Sequence, residues 1–256
     1  MNAHLAINNA NQVAVVASHS HRAVWLYPRP PTNPSEDVEM SGRDGNISNL
    51  ENANKYRPFA LIENCLMASL RDLIATTMEA DVASTGTTQM AGALTLALSH
   101  INKATMNYSG GSNDSKPPPT GFGTESINKP TGLQSRILVI SVSGDLAHQY
   151  IPIMNTTFAA QRLKVPIDIL KLAGDTVFLQ QASDATKGVY MQLRNPQGFL
   201  QYLMMTFLPD QISRKHLIAP TQEVVDFRAA CFCHRKVVDV GFVCSICLSS
   251  VFSRGP

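Results

Sequence analysis

The sequence predicts an α/β domain built on a doubly wound, mostly parallel sheet, with a small cysteine-rich module after it. Three observations predict this. From residue 137 to residue 208, short β-prone runs alternate with segments whose apolar residues recur at helical spacing, an order that right-handed crossovers turn into a parallel sheet covered on both faces. The 256 residues have room for one such domain and an appendage, but not for two equal domains. Four of the five cysteines, Cys231, Cys233, Cys244 and Cys247, crowd the C-terminal end. The α/β domain is expected over residues 1–210 and the cysteine module over 226–256.

Residues 13–17 and 23–27 are two apolar β-prone runs separated by a polar turn that holds Ser18, His19, Ser20 and His21. They read as a hairpin. The two histidines could be metal or catalytic groups, but an exposed hairpin turn is the commoner home for such residues. Residues 28–57 are rich in Pro, Ser, Gly, Asn and acidic side chains and cannot assemble a core, which predicts a long loop. Ile62, Leu66, Leu70, Leu73 and Thr77 then recur at spacings of three and four, with Met67 and Ile74 widening the stripe of an amphipathic helix. Cys65 inside that helix is expected to be a small core hydrophobe rather than a reactive thiol.

A second helix is predicted over about residues 87–103, with Ala91, Leu94, Leu98 and Ile101 on one side and His100 at the surface. Residues 107–135 form a low-complexity stretch of Gly, Ser, Pro and Asn, which reads as a disordered insertion. Regular patterning resumes at the strand 137–142. A helix with Ala147, Tyr150, Ile151, Met154 and Phe158 on one face follows, then the strand 165–172. A short helix through Phe178, Leu179, Ala182 and Ala185 is expected to close at Gly188 as its C-cap, ahead of a strand over 189–193. Phe199, Leu200, Leu203, Met204, Phe207 and Leu208 form the last helix, which Pro209 ends. Their stripe reads as core, with a partner-binding face as the second reading.

Chemistry on such a sheet is sought where the strands' carboxyl ends lie. The loop 141–145, Ser-Val-Ser-Gly-Asp, is the best candidate. It lacks the glycine pattern of a phosphate-binding turn. Ser143 and Asp145 could hold a hard cation through oxygen, yet Asp145 is better read as the cap of the helix that follows. Asp175 and Asp184 read as solvated or capping carboxylates. No catalytic residue is assigned. An ion- or small-ligand-binding α/β enzyme that uses the 141–145 loop is the alternative to a non-catalytic protein.

A net charge of +2 lacks the basic surplus that accompanies phosphate-backbone binding, so proteins are the expected partners and nucleic acid is not. No secretory signal opens the chain and no apolar run is long enough to span a membrane. The thiols are therefore expected to stay reduced, which favours metal ligation over disulfides. Cys244 and Cys247 are spaced as a knuckle for tetrahedral zinc, which normally needs a second pair. The nearby donors are Cys231, Cys233 and His234. Cys231, Cys233, Cys244 and Cys247 can form the set, although Cys-x-Cys is a cramped pair, and unligated thiols are the other reading.

Several stretches are more specific than these patterns. They are AVVASH at 14–19, SRILVI at 135–140, FAAQ at 158–161, LQQA at 179–182, LQYL at 200–203, FLPDQ at 207–211, DFRAACFCHR at 226–235 and GFVCSICL at 241–248. From residue 2 to 248 their order resembles the family of small von Willebrand factor A-like subunits of the transcription factor TFIIH core. That resemblance implies a nuclear, non-enzymatic scaffold that acts in transcription initiation and nucleotide excision repair. It implies pairing with the larger TFIIH subunit, which carries a von Willebrand A-like domain and a RING-like module. It also implies a zinc-binding C-terminal module.

Two departures follow from the same resemblance. The family opens with a further strand and most of a helix before the residues matching Asn2, and continues past Leu248 into a second Cys-x-x-Cys pair. The chain is accordingly expected to be a form shortened at both ends, with half of the family's four-cysteine finger. It is not expected to build a metal-dependent adhesion site from its own residues.

Overall fold

In the computed structural model, the described residues are 1–8, 10–28, 57–85, 88–110, 133–144, 146–174, 176–193, 195–217, 225–231, 234, 236–243, 245 and 250–251. They fall into two compact units, Met1–Ala93 and Leu94–Pro256.

The first unit opens with a short helix, α1 (Asn2–Ile7). β1 (Val15–Ser18) and β2 (Ala23–Tyr27) form the expected antiparallel hairpin, with a register shift between Val15 and Val16. α2 (Arg57–Ala75) follows and packs on β2. Its buried side includes Ala60, Ser69 and Leu73. Met67 and Ile74, expected to widen the stripe, are exposed, so the apolar face is narrower than the pattern suggested. Cys65 is half-buried in it. A further short helix, α3 (Glu79–Thr85), carries Glu79 and Asp81 in its first turn, where carboxylates complement the N-terminal dipole.

α4 (Met90–Gly110) begins in the first unit and continues into the second. Leu94 and Leu98 are among its buried residues. It runs to residue 110, so the first residues of the expected insertion 107–135 are helical, and those at 133–135 are described as irregular chain. The rest of that insertion, and the loop 28–57 between Pro28 and Arg57, lie outside the described residues.

The second unit is a three-stranded parallel sheet in the order β3 (Ile137–Ser141), β4 (Ile167–Lys171), β5 (Tyr190–Gln192). The register pairs Ile137 with Ile167 and Ser141 with Lys171, and Ile169 with Tyr190. All five residues of β4 are buried, as a central parallel strand requires. β3 alternates instead, with Leu138 and Ile140 exposed, so covering on both faces holds for β4 and not for β3. These three strands follow one another without a reversal of order.

Helix α5 (Tyr150–Leu163), entered through a 3-10 turn at Ala147–Gln149, packs on α6 (Val177–Ala185), which in turn lies on β4. Both helices end with a lysine in the left-handed conformation, Lys164 (φ 55°) and Lys187 (φ 58°). At α6 the Lys187 N–H reaches the Asp184 carbonyl at 3.1 Å and the Gly188 N–H reaches Ser183 at 2.8 Å, the paired bonds of a Schellman ending. The expected capping role of Gly188 is thus corrected: Lys187 takes the left-handed position. Gly188 is needed for space, because a Cβ there would lie 2.0 Å from the Ile167 carbonyl oxygen of β4.

Residues 196–208 are also not one regular helix. A 3-10 turn (Pro196–Gly198) leads into α7 (Phe199–Tyr202), then a π-helical turn (Leu203–Phe207) in which the Leu208 N–H bonds the Leu203 carbonyl at 3.1 Å. The wider turn rotates the apolar stripe off a single line. Phe207 is buried, whereas Leu200 and Met204 are exposed, so only part of the expected core stripe is core.

α8 (Gln211–Arg214) is capped by the Asp210 side chain, which accepts from the Ser213 N–H at 2.9 Å. Two small antiparallel hairpins follow among the described residues. One pairs β6 (Ala229–Ala230) with β7 (Val237–Val238) and the other β8 (Phe242–Val243) with β9 (Ser250–Val251). No helix among the described residues is long and apolar enough to cross a membrane.

Candidate functional site: the sheet edge and the C-terminal module

At the carboxyl ends of β3 and β4, the position where a ligand would be sought, the structure places a cation of its own. Lys171 is fully buried at the last position of β4. Its Nζ donates to Ser141 Oγ at 3.2 Å and to the Ser143 carbonyl. Ser141 Oγ also accepts from the Ser143 N–H at 3.2 Å, and Thr176 Oγ1 donates to the Gly144 carbonyl at 3.0 Å. Thr176 is the N-cap residue of α6, but its hydroxyl ties this loop down instead of capping the helix. Gly174 (φ 69°) brings the β4–α6 loop close to Gly144 and Ser143.

Ser141 Oγ and the Ser143 carbonyl are therefore engaged by an ammonium and the Gly144 carbonyl by a hydroxyl. Ser143 is half-buried in this network, and Asp184 is exposed on α6. Asp145 and Asp175 lie outside the described residues, and with them the expected capping role of Asp145. The residue at the N-cap of the 3-10 turn is Leu146, which offers no side-chain cap.

On the other face of β4, Asp168 is fully buried and accepts from both Arg214 nitrogens, at 2.9 and 2.7 Å, and from the Val189 N–H at 3.0 Å. Arg136, just before β3, donates to the carbonyls of Pro209 and Leu208 at 2.6 and 2.8 Å. Burial first, and the neighbouring Arg214 cation second, pull the Arg136 guanidinium below its ordinary value. These charges fasten the chain after the π-helical turn to the sheet.

His19 and His21 meet in the hairpin turn with their Nδ1 atoms 3.3 Å apart and their rings edge to face. They are half-buried rather than exposed as expected. No group of three or more potential metal-ligating side chains occurs among the described residues.

The C-terminal module is moored to α6 by two adjacent, nearly buried glutamines. Gln181 Nε2 donates to the carbonyls of Asp226 and Arg228 at 2.7 and 3.0 Å, and Gln180 Oε1 accepts from the Asp226 N–H at 3.4 Å. Arg228 bridges Asp226 and Asp239, with its charged form favoured first by the Asp226 bond and then by the Asp239 bond.

Of the four expected zinc ligands, Cys231 alone is described; Cys233, Cys244 and Cys247 lie outside the described residues. Cys231 is 1% exposed and directly follows β6. Its N–H donates to the Lys236 carbonyl at 2.8 Å, closing the turn toward β7. Its Sγ lies 3.6 Å from Nδ1 of His234. A thiolate at about 2.3 Å and an imidazole nitrogen at about 2.0–2.1 Å from a tetrahedral zinc are separated by about 3.6 Å. These two residues therefore fit the metal that the sequence pattern implies.

Over its whole length, residues 1–256, the chain matches the family described as Transcription factor Tfb4. The chain belongs to the Tfb4 family. It is similar to the general transcription and DNA repair factor IIH subunit tfb4 of Schizosaccharomyces pombe, with 42% identity over 249 residues, covering 97% of this chain and 72% of that protein. General transcription factor IIH subunit 3 of Dictyostelium discoideum is 33% identical, covering 97% of this chain and 61% of its own. Among solved structures, the TFIIH p34 N-terminal domain superposes with a TM-score of 0.59 at 42% identity, covering 80% of each chain.

Membership in the Tfb4 family accords with the resemblance drawn from the sequence, and the structural likeness agrees with its mixed α/β fold and parallel sheet. Asp168, Lys171, Arg214 and the Gln180–Gln181 pair were not singled out by sequence. Two of them carried a signal: Asp168 and Lys171 are the charged residues inside an otherwise apolar run at 165–172. The glutamines carried none beyond their place in the LQQA stretch.

Proposed function

We propose that this protein is a non-catalytic structural subunit of TFIIH that acts in the nucleus in RNA polymerase II transcription initiation and nucleotide excision repair. The whole-length family match carries the reading, since relatives from yeast to an amoeba bear the names of TFIIH subunits. Its partner is the larger TFIIH subunit with a von Willebrand A-like domain and a RING-like module. The α/β unit supplies the scaffold, and the residues from 226 onward form a zinc module that the two glutamines of α6 hold against it.

Zinc bound there serves as a structural cross-link that fixes short hairpins too small to be stable alone. Cys231, Cys233, Cys244 and Cys247 are the ligand set that the sequence suggests. The alternative, an enzyme that uses the 141–145 loop, is disfavoured by Lys171, whose ammonium already holds Ser141 Oγ and the Ser143 carbonyl.

Co-purification of the tagged chain with the larger subunit, with zinc measured on the same sample, tests the proposal. A stoichiometric, zinc-containing complex is expected. Failure to form the complex when both chains are folded would overturn the scaffold reading. Magnesium titration monitored by calorimetry addresses the alternative: no heat of binding is expected, and saturable binding lost on Ser143→Ala would favour it.

A further inference from the structure

We propose that His19 and His21 form an exchangeable zinc site in the turn of the first hairpin, both ligating one ion through Nδ1. Nothing in this site draws on the cysteines of the C-terminal module, so it stands apart from the zinc reading above.

The distance between the two rings carries the inference. Their Nδ1 atoms lie 3.3 Å apart. Hydrogen bonds donated by nitrogen cluster at about 2.9–3.0 Å, so the separation is long for one imidazole donating to the other. It suits a shared metal better, because two imidazoles each about 2.0–2.1 Å from a tetrahedral zinc have their nitrogens about 3.3 Å apart. Adjacent ligands of a square-planar ion at the same bond length would sit only about 2.8 Å apart, which selects zinc over copper or nickel. The rings meet edge to face, at 80° with centroids 5.1 Å apart, so they are not stacked on each other.

The backbone holds both rings in place before any metal arrives. The His19 N–H donates to the Arg22 carbonyl at 2.9 Å and closes the turn, and the His19 carbonyl accepts from the Gln89 N–H at 2.8 Å, just ahead of α4. Arg22, next to His21, donates to Thr76 Oγ1 at 2.6 Å, just beyond α2. Both rings are half-buried. The entropy of ordering these ligands is therefore lost on folding rather than on binding, which strengthens a site with few ligands.

A third donor lies between the two histidines. Ser20 Oγ is 3.1 Å from His19 Nδ1, close to the separation of about 3.3 Å expected between a nitrogen and an oxygen ligand of one tetrahedral zinc. Two neutral imidazoles and a hydroxyl leave the charge of the ion uncompensated and one position to water. The centre is thus more open than a structural site with four protein ligands, and its zinc exchanges.

Zinc titration of the full chain, followed through the imidazole signals of His19 and His21 in nitrogen-edited NMR, tests the assignment, since those signals report this turn and not the cysteines. Both rings are expected to respond together, each with a metal-bound Nδ1. His21→Ala should lower the affinity read at the His19 ring by about a hundredfold, the low end of the gain from linking two ligands. His21→Cys should restore it. Thermal melts without zinc separate loss of a ligand from loss of the fold, and His21→Ala is expected to melt with the wild type. Rings that do not respond to excess zinc, or a His19 ring that responds in His21→Ala at the wild-type zinc concentration, would overturn the site.

Discussion

Asp168 and Arg214 are bound through two parallel N–H···O contacts of 2.9 and 2.7 Å, with the carboxylate fully buried in the central strand. Because Asp168 also holds the Val189 N–H, one side chain ties β4 to the start of β5 and to α8. Breaking a buried pair from one side costs more than the pair contributes, since it leaves an uncompensated charge. Arg214→Met is therefore expected to lower stability by about 3–5 kcal/mol. Asp168→Asn, which removes the charge but can keep the Val189 bond, should cost less. Urea unfolding of the three chains gives the order, and an equal midpoint for Arg214→Met and wild type would contradict it.

Gly188 and Lys187 make opposite predictions one residue apart. The Cβ of Gly188→Ala would meet the Ile167 carbonyl oxygen at 2.0 Å and its carbon at 2.6 Å, both backbone atoms of the central strand. Neither can move without breaking the β3–β4 register, so this variant should fail to fold or lose several kcal/mol, toward the upper end of about 4–5 seen for severe point mutations. Lys187 carries a left-handed backbone that costs an L-residue roughly 1–2 kcal/mol, while glycine brings an entropic cost of roughly 0.5–1. The difference favours Lys187→Gly by up to about 1.5 kcal/mol. Thermal melts should show a raised midpoint for Lys187→Gly.

Gln181→Leu should loosen the C-terminal module without unfolding the sheet. It removes the donors to the Asp226 and Arg228 carbonyls, a local loss of about 1–3 kcal/mol. Hydrogen exchange should accelerate over residues 226–231, with β4 still protected. Uniform acceleration across both would show instead that the glutamine supports the whole unit.

Asp210 predicts one acid-side dependence. Hydrogen bonds from Ser213, side chain before backbone, hold its carboxyl below the ordinary value of 3.8. A folded-state value below the unfolded one gives stability that is fully present above the unfolded value and lost as pH falls through the folded one. Asp210→Ala should therefore cost the loss of an exposed cap, about 0.5–1 kcal/mol, near neutral pH, with the gap to wild type closing below about pH 4. Urea midpoints measured from pH 2 to 7 check the sign.

Most of the element pattern was legible in the chain. Alternation of apolar runs and helical stripes located β3, α5, β4, α6 and β5, because burial of one face leaves its period in the sequence. Errors arose where the period was interrupted. Leu200 and Met204 read as core because sequence spacing assumes 3.6 residues per turn, and the π-helical turn at Leu203–Phe207 breaks it. Asn107 to Gly110 read as insertion because polar residues continue a helix without leaving any apolar period.

The candidate site was less legible. Cysteine spacing pointed to the module, and to four thiols as its ligands. The nearness of His234 to Cys231 depends on how the turn between β6 and β7 folds, which no spacing rule reports. The mooring by Gln180 and Gln181 is similar, since the partners are backbone carbonyls and an N–H some 45 residues away that any sequence would offer.

The sequence by itself determined the family and the α/β class, since each is written in local order: motif and period. Only the tertiary structure decided what the buried charges do. Lys171 and Asp168 are neighbours on one strand with opposite faces and different partners, the first closing the loop at residues 141–144, the second clasping Arg214. A charge inside an apolar run says that a partner must exist, because an uncompensated buried charge is too costly to keep. Which partner it is depends on segments brought together from 28 and 46 residues away, and that is settled only when the chain has folded.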